Sequence, residues 1–402
     1  MSGGLHNASS LLEVPVRNLQ PGMYVAKLDR AWLETPFALQ GFYVTTREDV
    51  DFVAQHCEYV YVDPRRRAKL ANLQKHVGPR RTYREKKSLK DELSTARKDL
   101  TNAEEAMAKV FEQLRNGTHL NIDVVRTAVS PLIESVLRNS QALSALIRLR
   151  AEGDYLYGHS IAVAVWATIL GRHLGMAREQ LEILAFGGAL LDVGMTQIDD
   201  SVYRVPRRLN DDEYRIVRNH VDLGSKLLLE TGSIAPEIAQ MIASHHERFN
   251  GSGYPLGLSG MQIPVFARIA GLVDSYDAMI TRRPHAESRS SFEAMQELAD
   301  AKDQLFQGAL VEQFMQAIGL FPTGSMVQLN TGEIGVVVQQ NEARRLRPKV
   351  AMIVDPDGRR YPSITILDLA KYGADGTDRR DLWIKRELEP GAHGIEPEEF
   401  FL

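Results

Sequence analysis

The stretch HHERFNGSGYPLGL, residues 245–258, sets two neighbouring histidines ahead of a Gly-Tyr-Pro turn. The chain holds eleven histidines in 402 residues, so an adjacent pair asks for a reason. Successive residues of an α-helix point about 100° apart. A helical reading therefore sends the two imidazoles to two neighbouring metals, or makes one a ligand and the other its support. Around this stretch, from about 120 to 322, apolar residues recur at three-and-four spacing with few strand-like runs, which predicts a helical domain. Asn210 followed by Glu213 reads as a capping box opening one of its helices. His159, His173 and His220 lie in the same region, with carboxylates in apolar surroundings: Asp192 in ALLDVGM, Asp274 and Asp277 in RIAGLVDSYDAM. Each alone has an ordinary explanation as a hydrogen-bonded core residue. Together they point further, because an aspartate closing FGGALLD is costly to bury as a bare charge and a metal ion is one of the few partners that offsets the cost.

On either side the patterning changes. Residues 12 to 63 alternate in short runs (VPVRNL, MYVAKL, GFYVT, YVYVD) broken by Pro21-Gly22, which suits a small α/β domain. Residues 64–98 carry thirteen Lys or Arg against three Asp or Glu, with Tyr83 as the one Phe, Trp or Tyr among them, too few for base stacking, and read as a solvated linker. Leu89, Leu93, Ala96, Leu100, Ala103, Met107, Val110 and Leu114 then form a heptad seam that Asn116-Gly117 ends. Such a seam either pairs two chains as a homodimer through 89–114 or lays one helix on its own domain. Beyond Pro322, short β-rich runs separated by Thr-Gly and Asp-Gly turns predict a small β appendage. The expected division is 1–78, 79–118, 119–322 and 323–402.

Composition sets limits. A formal net charge of −4 gives the whole molecule no reason to seek nucleic acid or an acidic membrane. Cys57 is the only cysteine, which excludes an intramolecular disulfide and a cysteine zinc cluster. The longest apolar run, IAVAVWATIL at 161–170, is half a membrane span, and MSGGLHNASS is no secretory signal. A cytoplasmic protein is expected.

An early His in a helix, ALLDVG, NHVDLG, HHERFNGSGYPLGL and ARIAGLVDSYDAM followed by Arg-Arg-Pro resemble, over about 155–290, the HD-GYP family of the HD superfamily. PGMYVAKLDRAWLETPFALQGFYV resembles the DUF3391 domain that often precedes it. The resemblance implies a mainly α fold, an all-helical HD domain between the small N-terminal α/β domain and the β appendage. It implies a bacterial metal-dependent phosphodiesterase acting on cyclic di-GMP in second-messenger signalling. Carried over, the metal ligands are His159, Asp192, His220, His245, His246 and Asp274, with Asp192 bridging two metals. The cofactor would be a divalent transition metal, Fe or Mn, one or two per chain. Gly253, Tyr254 and Pro255 would shape the substrate mouth, Asp277 would look into the pocket, and Arg283 would grip a phosphate. A signalling protein is a further expected partner.

The sequence departs from the family pattern at several points. Leu191 stands for the His of the His-Asp pair, Met195 for a lysine, Tyr155 for a glutamate that supplies a third metal in some members, and His285-Ala286 for Tyr and a basic residue. One metal keeps Asp192, His220, His245 and His246; the other keeps His159, Asp192 and Asp274. Reduced hydrolysis, or a degenerate module that binds cyclic di-GMP or a protein without turnover, follows as the alternative.

Overall fold

A computed structural model describes residues 11–30, 42–44, 47–64, 81–149, 155–232, 234–283, 288–341, 347–372, 382–389, 391–395 and 397–400. The N-terminal alternation forms four strands, β1 (Leu12–Pro15), β2 (Tyr24–Leu28), β3 (Phe42–Tyr43) and β4 (Tyr59–Val62), ordered β1-β4-β2-β3 with every pair antiparallel. The YVYV period sends Val60 and Val62 inward, and the Arg47–Ala54 helix adds Val50 and Val53 to a separate small core. Cys57 is buried there, and burial pushes its thiol up to about 12, so it stays a protonated packing residue.

The expected linker is part of the helical body. Ser88 caps the Leu89–Arg115 helix by accepting from the Asp91 amide. The helix carries Leu93, Ala96, Leu100, Ala103, Met107, Val110 and Leu114 into the main core. It packs on the helices Ile122–Arg138, Ser140–Arg148 and Tyr155–His173 of the same chain. Leu100 is 6% and Met107 0% exposed, so the seam has no face left for a second copy, and the expected homodimer through 89–114 is corrected. Buried Glu92, held by Arg138 at 2.6 and 2.8 Å and by Ser135 at 2.9 Å, ties this helix to the next. In the basic run, residues 65–80 lie outside the described residues; beyond them Lys87 pairs with Glu92 at 3.4 Å.

The body centres on the antiparallel helices Tyr155–His173 and Arg178–Leu190, with Val265–Ile280 and Pro236–Ser244 packed against them. Trp166, fully buried, meets Tyr276 edge to face at 5.6 Å. After the Gly308–Ile318 helix, β5 (Met326–Leu329), β6 (Ile334–Gln339), β7 (Lys349–Val354), β8 (Arg360–Asp368) and β9 (Ile384–Leu388) form an antiparallel sheet ordered β8-β7-β6-β5-β9. Its apolar residues belong to the main core, so this sheet leans on the helices where the N-terminal one keeps its own interior. A buried pair fixes the join. Arg148 reaches Glu387 at 2.7 Å, and Glu387 also accepts from the Ser325 hydroxyl at 2.9 Å and the Phe292 amide at 3.0 Å. Removing one partner would strand a buried charge, at about 3–5 kcal/mol. No helix among the described residues is long and apolar enough to cross a membrane.

Candidate metal centre

Five segments bring the candidate site together. His159 sits in the first turns of the Tyr155–His173 helix, Asp192 just past the end of Arg178–Leu190, His220 at the start of His220–Leu229, and Asp274 inside Val265–Ile280. His245 and His246 follow Ser244, the last residue of their helix, as a turn. His245, the C-cap, still has helical backbone angles, φ −68° and ψ −20°. Both rings nonetheless meet in one place, with centroids 4.1 Å apart, and share one donor set, where helix rotation alone suggested two metals or a ligand and its support.

Two sets of donor atoms result. In one, Asp192, His220, His245 and His246 each offer an atom within 4.8 Å of the others; in the second, His159, Asp192 and Asp274 do the same. Asp192 belongs to both. Its Oδ1 lies 3.3 Å from His220 Nε2 and 3.8 Å from His245 Nε2, and its Oδ2 lies 3.7 Å from His159 Nε2.

Tautomers follow from the partners behind the rings. His220 Nδ1 donates to the Val217 carbonyl at 2.7 Å, and His245 Nδ1 to the Ile242 carbonyl at 2.9 Å. Their Nε2 atoms, 3.3 Å apart, are then both lone-pair acceptors and cannot hydrogen-bond to each other. Two facing acceptors beside a carboxylate call for a shared electropositive atom, and a divalent cation fits this donor set. Electrostatics agree. Burial pushes His220 and His246 down, toward neutral imidazole. Burial alone would raise the Asp192 carboxyl, yet its histidine surroundings hold it far below the usual range. Neutral rings beside an ionised carboxylate are the states that ligate a metal.

Asp277 is a correction. It is fully buried, accepting from His159 Nδ1 at 2.7 Å, from the Trp166 indole at 2.9 Å and from the Thr281 hydroxyl at 3.3 Å. It does not look into a pocket; it holds His159 from behind, leaving Nε2 to face Asp274 at 3.0 Å. No sequence pattern pointed to Trp166, the third member of this arrangement.

The Gly-Tyr-Pro loop covers the imidazole-rich set. A Cβ on Gly253 would lie 2.3 Å from the Arg248 nitrogen and 2.5 Å from the His246 carbonyl, so only glycine lets the loop close here. Tyr254 stacks on His246 at 4.7 Å with 20° between planes, while Pro255 is exposed at the rim. Buried Glu247, which sequence reasoning passed over, accepts from the Leu256 and Leu258 amides at 2.7 and 2.9 Å and pins the loop. A second glycine sets His220: a Cβ on Gly194 would sit 1.9 Å from the His220 carbonyl. Leu191 and Met195 are buried members of the main core. Arg283 is half-buried three residues beyond its helix, and residues 284–287, with His285 and Ala286, lie outside the described residues, as does the Tyr155 side chain.

Known proteins agree with this architecture. Residues 128–310 match the HD domain, 11–125 the domain of unknown function DUF3391, and 326–374 the KOW domain associated with HD domains, a match unforeseen for the β appendage. The chain is thus an HD-domain protein with its two customary flanking modules. Its relatives include cyclic di-GMP phosphodiesterases of the HD-GYP family, which its motifs resemble. Among its relatives is the cyclic di-GMP phosphodiesterase PA4108 of Pseudomonas aeruginosa, 28% identical over 94% of this chain and 95% of that protein. The cyclic di-GMP phosphodiesterase response regulator RpfG of Xanthomonas campestris is 34% identical over 40% of this chain, which spans 44% of RpfG. Bd1817, an HDG"Y"P protein from Bdellovibrio bacteriovorus, superposes with a TM-score of 0.47 at 15% identity, over 76% of this chain and 98% of that one.

Proposed function

We propose that this chain is a metal-dependent phosphodiesterase that opens cyclic di-GMP to linear pGpG or onward to GMP, at a reduced rate. The observation that carries the reading is the pair of facing Nε2 atoms of His220 and His245, 3.3 Å apart beside Asp192, under the Gly-Tyr-Pro loop. The cyclic di-GMP phosphodiesterase of Pseudomonas aeruginosa, alike across nearly the whole chain, supplies the substrate class.

In this reading His220, His245, His246 and Asp192 hold one Fe or Mn tightly, while His159, Asp192 and Asp274 hold a second weakly. Bound divalent cations would activate water and offset charge developing at phosphorus. Asp192 sets their spacing, and Asp277 keeps His159 in the ligating tautomer. Gly253, Tyr254 and Pro255 bound the mouth, and Arg283 meets a phosphate. The β module within 1–78 receives a signal or a signalling partner in the cytoplasm. In the same reading the chain divides near 78 and 322, with the 89–115 helix counted in the helical body.

Purified full-length chain incubated with cyclic di-GMP and Mn²⁺ or Fe²⁺, with products resolved chromatographically, tests the reading; no product and no binding would end it. Buried, apolar Leu191 and Met195 favour a second reading, a binding module, which tight binding without product would establish.

A further inference from the structure

Arg218 closes the Asp211–Arg218 helix two residues before His220, and it is exposed. Its guanidinium carbon lies 4.2 Å from the centre of the Tyr254 ring and 5.9 Å from that of Tyr214. Tyr254 also stacks its ring on His246, so an imidazole and a guanidinium both lie against it. A ring with both neighbours offers little surface to a guanine base. A ligand entering here meets the guanidinium instead.

Neighbouring cations are engaged. Arg207 pairs with Glu213 at 2.7 Å and Arg215 with Asp212 at 3.0 Å, while Arg248 donates to the His245 carbonyl at 3.0 Å. Among the described residues Arg218 has no carboxylate partner. A guanidinium held over an aromatic ring keeps N–H donors for a phosphate, which its planar fork can grip with two parallel hydrogen bonds. The lysine absent at Met195 leaves the mouth short of positive charge.

We propose that Arg218, held on Tyr254, binds the phosphodiester of a cyclic dinucleotide that is not at the metals. A cyclic dinucleotide carries two phosphodiesters on one ring, and with one beside Asp192 the other must lie within that ring's width. This inference rests on the phosphodiesterase reading and adds a residue to it.

Binding of labelled cyclic di-GMP to the manganese-loaded full chain, read by stopped-flow anisotropy before turnover, tests it. Arg218→Gln should raise Kd about tenfold to a hundredfold. Arg218→Lys should recover only part, because an ammonium has no planar fork. Tyr254→Leu should weaken binding in the same direction, and the double variant should lose less than the two single losses combined. A Kd within twofold for Arg218→Gln would overturn the proposal and leave the phosphodiesterase reading standing. Loss of manganese from that variant would also overturn it, since the effect would lie in the metal site. An unmodified chain that does not bind would sink the phosphodiesterase reading and this proposal together.

Discussion

The two halves of the metal centre share Asp192 and differ in everything else. One half gathers three imidazoles, two of them held through Nδ1 by backbone carbonyls three residues earlier, at 2.7 and 2.9 Å. The other has one imidazole and two carboxylates, and its histidine is held by a third carboxylate from a different helix, Asp277 at 2.7 Å. The imidazole-rich half takes its shape from short-range backbone geometry and puts a single negative charge on the cation. The carboxylate-rich half depends on packing between helices far apart in sequence and puts two. Nitrogen-rich sets of this kind suit Fe and related transition metals, while oxygen-rich ones accept harder ions such as Mn. The difference predicts unequal retention: one metal kept through dialysis, one lost.

Breaking the shared element should have the largest effect. Asp192→Asn removes a ligand from both halves, so elemental analysis should find both metals gone after dialysis and cyclic di-GMP hydrolysis at background. One metal still retained would mean that the halves do not share this carboxylate.

Next in size, single deletions should separate the halves. His245→Ala should empty the tightly held position, whereas Asp274→Asn should leave one retained metal per chain and abolish the gain in activity from added Mn²⁺. The comparison fails if both variants lose the same metal.

How far the sequence foretold this depends on whether a feature is local. The strands of both sheets, the Asn210–Glu213 capping box with its bonds of 2.9 Å, and the helical body follow from short-range pattern and were legible. The heptad seam was legible as a seam, but periodicity does not say which surface covers it, and here the covering helices belong to the same chain. The meeting of His245 and His246 in one donor set was not legible, and no glycine or proline marks the helix end at Ser244 just before them. Asp277 was misplaced because its indole partner stands 111 residues away in the sequence. Cyclic di-GMP as substrate came from family resemblance, and no single residue spells it.

A smaller effect sharpens the carboxylate-rich half alone. Asp277→Asn keeps the volume but weakens the acceptor for His159 Nδ1, and loss of such a supporting carboxylate typically costs about 10–100-fold in metal affinity. Titration with Mn²⁺ should show weaker binding at the second position only, with the retained metal unaffected. An unchanged second affinity would mean that Trp166 and packing suffice to orient His159.

The least effect is expected where the family pattern would put another imidazole. Leu191 lies beside Asp192 in sequence, yet it is 2% exposed and part of the main core, so Leu191→His must first surrender apolar packing. Truncating a buried leucine to alanine costs about 2–5 kcal/mol, and histidine, larger than alanine but polar, should lose a good part of that. If its ring reaches the carboxylate-rich half, it adds a neutral donor to a set of three, and metal binding to the folded state returns some of the stability. The expected outcome is therefore a lower melting temperature without metal, a larger rise on adding Mn²⁺ than the unmodified chain shows, and about tenfold tighter binding of the second metal. Adding Met195→Lys should then raise hydrolysis further, since a cation beside the phosphate stabilises charge that grows in the transition state. Equal rises on adding Mn²⁺ for variant and parent, with both folded, would show that position 191 points into the core rather than at the metals, and that the inequality between the halves is set by the fold rather than by one missing ligand.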